Sequence, residues 1–256
     1  GGAGPPGAGG SPGSSSAGGQ AHEPDGTAVA VDYACLGTGV APTGANSALT
    51  TLPVLAFGEL DDQNKPVPVA GASVQIFDSP FTGGAECGAG CELATEVQPG
   101  SYQATLPTDR WFSYRVEAEG FVPTFENRVL ASLPGNDWFN SMRRSLFVGF
   151  HALLGAAPDP ARAVLAGRIL DCQHRPVSGA VLRVFDAAGT ELVHGEGGLV
   201  IAYFDDQGLH SQTQTRTSSQ ARWAIANAPA GAPLRLEMWG ALDAGLAPSL
   251  LACERS

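Results

Sequence analysis

Residues 60–67 read Leu-Asp-Asp-Gln-Asn-Lys-Pro-Val, and residues 170–177 read Leu-Asp-Cys-Gln-His-Arg-Pro-Val. A second pair of blocks follows each octapeptide: Gly-Ala-Ser-Val-Gln-Ile-Phe-Asp at 71–78 and Gly-Ala-Val-Leu-Arg-Val-Phe-Asp at 179–186. A third pair begins further on, at Arg115 and Arg235. Three matched blocks in the same order indicate that the chain contains two copies of one module.

Each copy is predicted to be all-β. An apolar stretch (54–60 and 164–170) runs into the polar turn, whose proline fixes φ and removes a backbone donor. In the next segment of the first copy, Val74 and Ile76 share one face and Gln75 lies on the other, which is the period of a half-buried strand. Many short strands separated by turns indicate a β-sandwich.

The order of these features is similar to that of a known family. In the first copy the turn and the Gly-Ala pair are followed by Gly100-Ser101-Tyr102, Leu106-Pro107 and Glu119-Gly120-Phe121. This order resembles carboxypeptidase regulatory-like modules, as found in secreted bacterial lipoproteins. The resemblance implies a small transthyretin-like β-sandwich over residues 54–121 and again over 164–240. Because these motifs are turn and core residues, the resemblance informs the fold more than the function.

The second copy departs from this pattern. Gln220-Ala221-Arg222-Trp223 stands where Gly-x-aromatic is usual, and an insert spans residues 195–217. The insert reads as a strand, an Asp-Gln-Gly turn and a Thr-rich strand, which predicts an edge hairpin. Whether its free edge pairs with another chain is left open.

The predicted organisation has four parts. Residues 1–27 form a disordered leader, because the first twenty contain only Gly, Ser, Pro, Ala and Gln and cannot bury an apolar face. Residues 28–135 form the first β-sandwich domain and residues 161–256 the second, with tandem transthyretin-like or Ig-like folds. Residues 136–160 form a linker helix.

The linker helix is predicted from an apolar stripe with spacings of three and four. Asp137 is the expected N-cap and Gly155 the expected C-terminal stop. Arg144 and His151 fall on the other side of the helix. The stripe consists of Trp138, Met142, Leu146, Phe150 and Leu153 or Leu154.

Five cysteines occur, and Cys87 and Cys91 in the segment Cys-Gly-Ala-Gly-Cys are the candidates for a disulfide. The pairing of Cys35, Cys172 and Cys253 is left open. No close second pair of Cys or His completes a tetrahedral set, so we expect no zinc site. Several cysteines are typical of an oxidising compartment.

Charge and hydropathy exclude some partners. The chain has 25 acidic and 14 basic residues, for a formal charge of −11. Nucleic acid is therefore not an expected partner, because phosphate binding needs clustered Lys and Arg. The longest apolar stretch, residues 145–157, is too short to cross a bilayer, so we expect no span. A lipid anchor ahead of the leader is left open.

We expect no catalytic residues and no cofactor. His-Glu-x-x-His, Gly-x-Ser-x-Gly and phosphate-binding loops are absent from the sequence, and the five histidines are scattered. The acidic turns at 61–64 and 205–208 offer oxygen atoms to calcium but lack the twelve-residue loop signature. Calcium binding at these turns is left open, and no metal site is predicted.

A carbohydrate ligand would stack on exposed aromatic side chains. Trp111 is the weak candidate, since it follows a predicted turn, whereas Trp223 and Trp239 lie in predicted strands and are expected in the core. We expect a non-enzymatic, exported, surface-tethered protein of the cell envelope, at the outer surface or in the periplasm, with a structural, adhesive or assembly role and an envelope protein as partner. The alternatives are a carbohydrate-binding module with a glycan partner and a catalytic accessory domain of a hydrolase system.

Overall fold

The computed structural model describes residues 19–32, 46–77, 91–108, 111–129, 137–211, 213–231, 233–240 and 252–253. Its first twelve strands are β1 (Gln20–His22), β2 (Ala28–Val29), β3 (Ser47–Leu60), β4 (Pro66–Pro68), β5 (Ser73–Phe77), β6 (Cys91–Leu93), β7 (Thr95–Gln98), β8 (Ser101–Pro107), β9 (Trp111–Glu117), β10 (Phe121–Val122), β11 (Thr124–Val129) and β12 (Phe139–Arg143). Helix α1 (Arg144–Leu153) follows. The remaining strands are β13 (Arg162–Arg168), β14 (Val177–Ser178), β15 (Ala180–Phe185), β16 (Glu191–Leu192), β17 (Val200–Phe204), β18 (His210–Ser211), β19 (Arg222–Pro229), β20 (Arg235–Gly240) and β21 (Ala252–Cys253). The chain is therefore mostly β, as the sequence predicts.

Two sheets, called here the first sheet pair, contain β3 to β12. One has the order β10-β12-β3-β8-β7, with β4 also on β3, and the other has the order β11-β9-β5-β6. Side chains of both sheets share one core, in which Val54, Tyr102, Val74 and Tyr114 are almost completely buried. The period-two pattern of β5 is confirmed, because Val74 and Ile76 point into this core.

Two further sheets, the second sheet pair, have the orders β13-β19-β17-β18 and β16-β15-β20-β21. Leu182 and Val184 of β15 share a core with Trp223 and Ile225 of β19. The pairing of the repeated blocks is the same in both halves of the chain. Strand β5 pairs with β9 as β15 pairs with β20, and β3 pairs with β8 as β13 pairs with β19.

The linker differs from its prediction. Residues 139–143 form β12, which pairs in parallel with β3 and antiparallel with β10, so the first sheet pair extends past residue 135. The helix begins only at Arg144, and its N-cap residue, Arg143, makes no side-chain capping bond. Asp137 is therefore not the N-cap. Spacings of four residues also fit a strand, since four is twice the strand period.

Helix α1 contacts both halves of the molecule. Leu146 lies against Gly58 of β3, whereas Phe150 and Leu154 pack on the outer face of β19. This packing explains why β19 is buried on both faces over most of its length. His151, which the helical pattern places on the polar side, is completely buried, and its ring meets that of Phe147 edge-on.

The N-terminal segment also differs from its prediction. Strand β1 pairs with β14 and with β2, and Ala21 is fully buried. We call residues 20–32 the N-terminal ribbon. The ribbon includes part of the predicted leader, and it attaches to the second sheet pair, although the sequence analysis places residues 28–32 in the first domain. Residues 1–18 lie outside the described part of the chain.

Candidate functional site

Four turns share one hydrogen-bonding pattern, which gives their aspartates a structural role. In each turn the Oδ1 atom of the first residue accepts hydrogen bonds from the amides two and four residues later. At Asp61 these distances are 2.8 and 2.9 Å, and at Asp205 they are 3.0 and 2.8 Å. The four turns begin at Asp61, Asp171, Asp186 and Asp205.

The acidic turns considered for calcium therefore use carboxylate oxygens to hold backbone amides. Asp206, the second acid of its turn, accepts hydrogen bonds from the amide and hydroxyl of Ser219 at 2.9 and 2.6 Å. These bonds lower the pKa of the Asp206 carboxyl. In the described part of the chain, no group of three His, Cys, Asp or Glu residues is placed to hold a metal ion.

The turn at 171–175 contains a buried ion pair. The Asp171 side chain is completely buried, and its Oδ2 atom accepts hydrogen bonds from Nε and Nη2 of Arg175 at 2.9 and 2.7 Å. Burial alone would raise the pKa of this carboxyl. The bonds from the Arg175 side chain and from the amides of Arg175, Asp32 and Gln173 outweigh burial, so the pKa lies below its usual 3.8.

Arg175 also binds the N-terminal ribbon. Its Nη1 atom donates to Glu23 Oε1 at 2.9 Å, and its Nη2 atom donates to the carbonyl of Ala30 at 3.0 Å. The Asp171–Arg175 pair therefore joins the turn to two points of the ribbon. We call residues 171–175 the clasp.

Asp32 is the third point at which the clasp holds the ribbon. The Asp32 amide donates to Asp171 Oδ2 at 3.2 Å, and the Cys172 amide donates to the Asp32 carbonyl at 3.0 Å. Gln173 donates to the Asp32 carboxylate at 3.0 Å. The clasp therefore binds the ribbon through backbone as well as through side chains.

The residues singled out from the sequence do not form one site. Trp111 begins β9 and does not lie in a turn, and its side chain lies outside the described residues. Cys91 lies in β6 and Cys172 in the clasp. Cys87 and Cys35 lie outside the described residues, so the Cys87–Cys91 pair stays a prediction.

The remaining tryptophans differ in their exposure. Trp223 is 8% exposed and belongs to the core of the second sheet pair, as predicted. Trp239 is only half-buried, and the guanidinium of Arg183 lies over its ring at 5.2 Å from the centroid. Trp138 is 37% exposed and donates to Asn140 at 2.9 Å.

A groove of about 600 Å³ opens beside β17. Its walls come from the end of α1, from β15, from the β17–β18 hairpin and from the segment that follows this hairpin. The predicted hairpin is present, although its second strand, β18, has only two residues. Sequence reasoning missed this groove, because its walls come from segments that are far apart in the chain.

Tyr203 and His194 both line the groove. The Tyr203 hydroxyl accepts a bond from the Leu182 amide at 2.8 Å, and burial raises the pKa of this phenol, so it keeps its proton. The Ile201 amide nitrogen lies 3.0 Å from Nδ1 of His194. Nδ1 of His194 also lies 3.1 Å from the Ile201 carbonyl oxygen, so which of the two groups it bonds depends on the tautomer of the ring.

No family model, curated protein or solved structure matches this chain. Within the described ranges, no helix has the length and apolar character that crossing a membrane requires.

Proposed function

We propose that the protein is a non-catalytic component of the cell envelope, with a structural or assembly role, built from two tandem transthyretin-like β-sandwiches. The observation that carries this proposal is the clasp. A buried ion pair holds the chain at Glu23, Ala30 and Asp32, directly after the Gly/Ser/Pro-rich residues. A flexible spacer can position a protein only if the spacer is joined firmly to the folded part of the chain.

The proposed two sandwiches are supported by the equivalent pairing of repeated blocks. The turn of the first copy ends at Lys65 and that of the second at Arg175. Each is followed by one short strand, β4 or β14, and then by β5 or β15, which lies in the second sheet of its pair. This order is the one that carries the resemblance to carboxypeptidase regulatory-like modules. The five cysteines of the chain support an exported location.

We propose that the protein is not catalytic because the carboxylates described below bind backbone amides. Asp61, Asp171 and Asp205 hold turn amides, while Glu96 accepts bonds from the amides of Gly71 and Gly100. These bonds lower the pKa of Glu96, so this carboxyl stays ionised at neutral pH and does not act as an acid.

Cell fractionation tests the location and the tether. Source cells are separated into cytosol, periplasm and membranes, the protein is detected by antibody, and its native N-terminus is identified by mass spectrometry. We expect the protein in the envelope fractions, released by cleavage within residues 1–18. A cytosolic protein with reduced cysteines would contradict the proposal.

A further inference from the structure

We propose that Arg168 and Arg222 form a binding site for a phosphate group, carried by a small soluble ligand or by a lipid head group. The site goes beyond the structural role proposed above and does not depend on it. The proposal depends on three features of the pair: its position in the sheet, the lack of a carboxylate partner and its access to solvent.

The two arginines lie opposite one another on neighbouring strands. Arg168 of β13 pairs with Arg222 of β19 in the antiparallel ladder. Directly opposite residues of such a ladder point to the same face of the sheet, with their Cβ atoms about 5 Å apart. Arg222 lies two residues before Ala224, which packs against Phe150 of α1, so both arginines belong to this outer face.

The two guanidinium groups are close enough to repel one another. Partial burial and the positive charge of Arg222 lower the pKa of the Arg168 side chain. Arginine nevertheless stays protonated at neutral pH, so the site holds two positive charges. Like charges directly opposite in a ladder destabilise the free protein. An anion bound between them would replace this repulsion by attraction.

Neither arginine has a carboxylate partner. In the described part of the chain, no Asp or Glu forms an ion pair with Arg168 or Arg222. Most other arginines in these ranges do form one, so the unpaired charges are specific to this place in the fold. The paired residues are Arg115, Arg143, Arg162, Arg175, Arg183 and Arg235.

The acidic turn beside Arg222 does not pair with it. Nη1 of Arg222 lies 3.0 Å from the position that a Cβ atom would take at Gly208, so the guanidinium lies against the turn that begins at Asp205. Asp205 binds amides of its own turn, and Asp206 binds Ser219. The turn therefore positions the Arg222 guanidinium and leaves its charge available to a ligand.

A phosphate group matches this pair in charge and in shape. A phosphate monoester carries between about 1.5 and 2 negative charges at neutral pH, so it balances both arginines, whereas a carboxylate balances one. Each guanidinium presents a planar fork of N–H donors that can bind two phosphate oxygens. Strand β13 lies at the edge of its sheet and Arg168 is exposed, so a ligand can reach the pair from solvent.

The test titrates the whole chain with inorganic phosphate in a calorimeter at constant ionic strength. Arg168→Gln and Arg222→Gln each remove one cation and keep a polar side chain. Arg162→Gln is the matched control, because Arg162 lies at the other end of β13 and pairs with Asp159. Acetate is the control anion, since it has a single charge.

We expect phosphate to bind the wild type more tightly than acetate does. The Kd for phosphate should rise about tenfold in Arg168→Gln and in Arg222→Gln, because each loses charge-assisted hydrogen bonds. It should change less than about twofold in Arg162→Gln, whose arginine lies away from the site. Without phosphate, Arg168→Gln should raise the melting temperature at low salt, since the substitution removes the repulsion.

A second titration separates the two sources of the phosphate group. It uses vesicles of phosphatidylcholine with and without phosphatidic acid. Binding of free phosphate alone would assign a soluble ligand, whereas vesicle binding that needs phosphatidic acid and both arginines would assign a lipid head group. The proposal is overturned if neither phosphate nor these vesicles bind, if acetate binds as tightly as phosphate, or if Arg162→Gln weakens binding as much as Arg222→Gln.

Discussion

The two copies of the turn have the same backbone and different surroundings. In both, the first aspartate accepts bonds from two amides, and the fourth residue, Asn64 or His174, has a positive φ of 60° or 62°. In the first copy, Asp61 and Lys65 are exposed, and Lys65 donates to Gln63 within the turn. In the second copy the equivalent residues form the buried pair of the clasp.

This difference separates two roles of one sequence pattern. The aspartate alone is sufficient to close the turn, because both copies close identically. Arg175, at the position of Lys65, has a guanidinium group with several donors. These donors bind the Asp171 carboxylate and the ribbon at the same time, which a single ammonium group cannot do. The repeat therefore determines the turn, and the residues that differ determine what the turn holds.

Arg175→Ala is expected to have the largest effect. It would leave the buried Asp171 carboxylate without its cation and release Glu23 and the Ala30 carbonyl. We expect a loss of about 3 kcal/mol in the free energy of unfolding, measured by urea denaturation of the whole chain. Lys65→Ala, the matched change in the first copy, should alter stability by less than about 0.5 kcal/mol. Equal losses in the two variants would show that the clasp adds nothing to the turn.

Acid should weaken the second copy through Asp171. Its folded-state pKa lies below the unfolded value of 3.8, so the ionised carboxylate stabilises the fold above that pH. This stabilisation is lost as the pH falls through the folded-state pKa. Asp171→Asn cannot titrate at this position, so its stability should fall less between about pH 5 and pH 2 than that of the wild type. Parallel pH profiles from urea titrations would contradict this assignment.

Glu23→Ala tests the attachment of the ribbon alone. Glu23 is 40% exposed and its pair with Arg175 is partly screened by water, so we expect a loss of about 0.5 kcal/mol. The larger effect of this substitution should be local, on amide exchange in the ribbon. Amide exchange at Ala21 and His22 should accelerate, whereas exchange in β19 should not change. Glu119→Ala, at an exposed acid in the first half of the chain, is the control and should leave both rates unchanged.

Local patterns predicted the repeated strands and turns. The period of two at Val74 and Ile76 and the Asp-to-Pro spacing of the turns are both set within a few residues, and both appear in the structure. The linker shows the limit of such patterns. Met142 fits a helical stripe and a strand equally well, and the pairing of β12 with β3 and β10, both earlier in the chain, decides for the strand.

Local sequence patterns do not predict long-range pairing. The bond between His22 and Ser178 joins residues 156 positions apart, and nothing in Gln-Ala-His indicates a strand. The groove was missed for the same reason, since Leu154, Leu182 and Tyr203 become neighbours only through the tertiary fold. The arginine at position 175, where the first copy has Lys65, is the signal in the sequence that points to the clasp.

His174→Gly should have the smallest effect and the opposite sign. A left-handed φ costs about 1 kcal/mol at a residue with a Cβ atom, and glycine avoids this cost. Glycine also adds entropy to the unfolded chain, so we expect a net gain of about 0.5 kcal/mol. Asn64→Gly should gain less, because the short polar side chain of asparagine can form a local hydrogen bond in this conformation.

The other two turns support this expectation, since Gly189 and Gly208 occupy the same position with φ of 81° and 77°. Thermal unfolding of His174→Gly and Asn64→Gly measures the difference between the copies. A loss of stability in His174→Gly would mean that its exposed imidazole makes a contact that outweighs the strain. In that case the His174 side chain would stabilise the second copy, and the comparison between the two copies would have to include position 174.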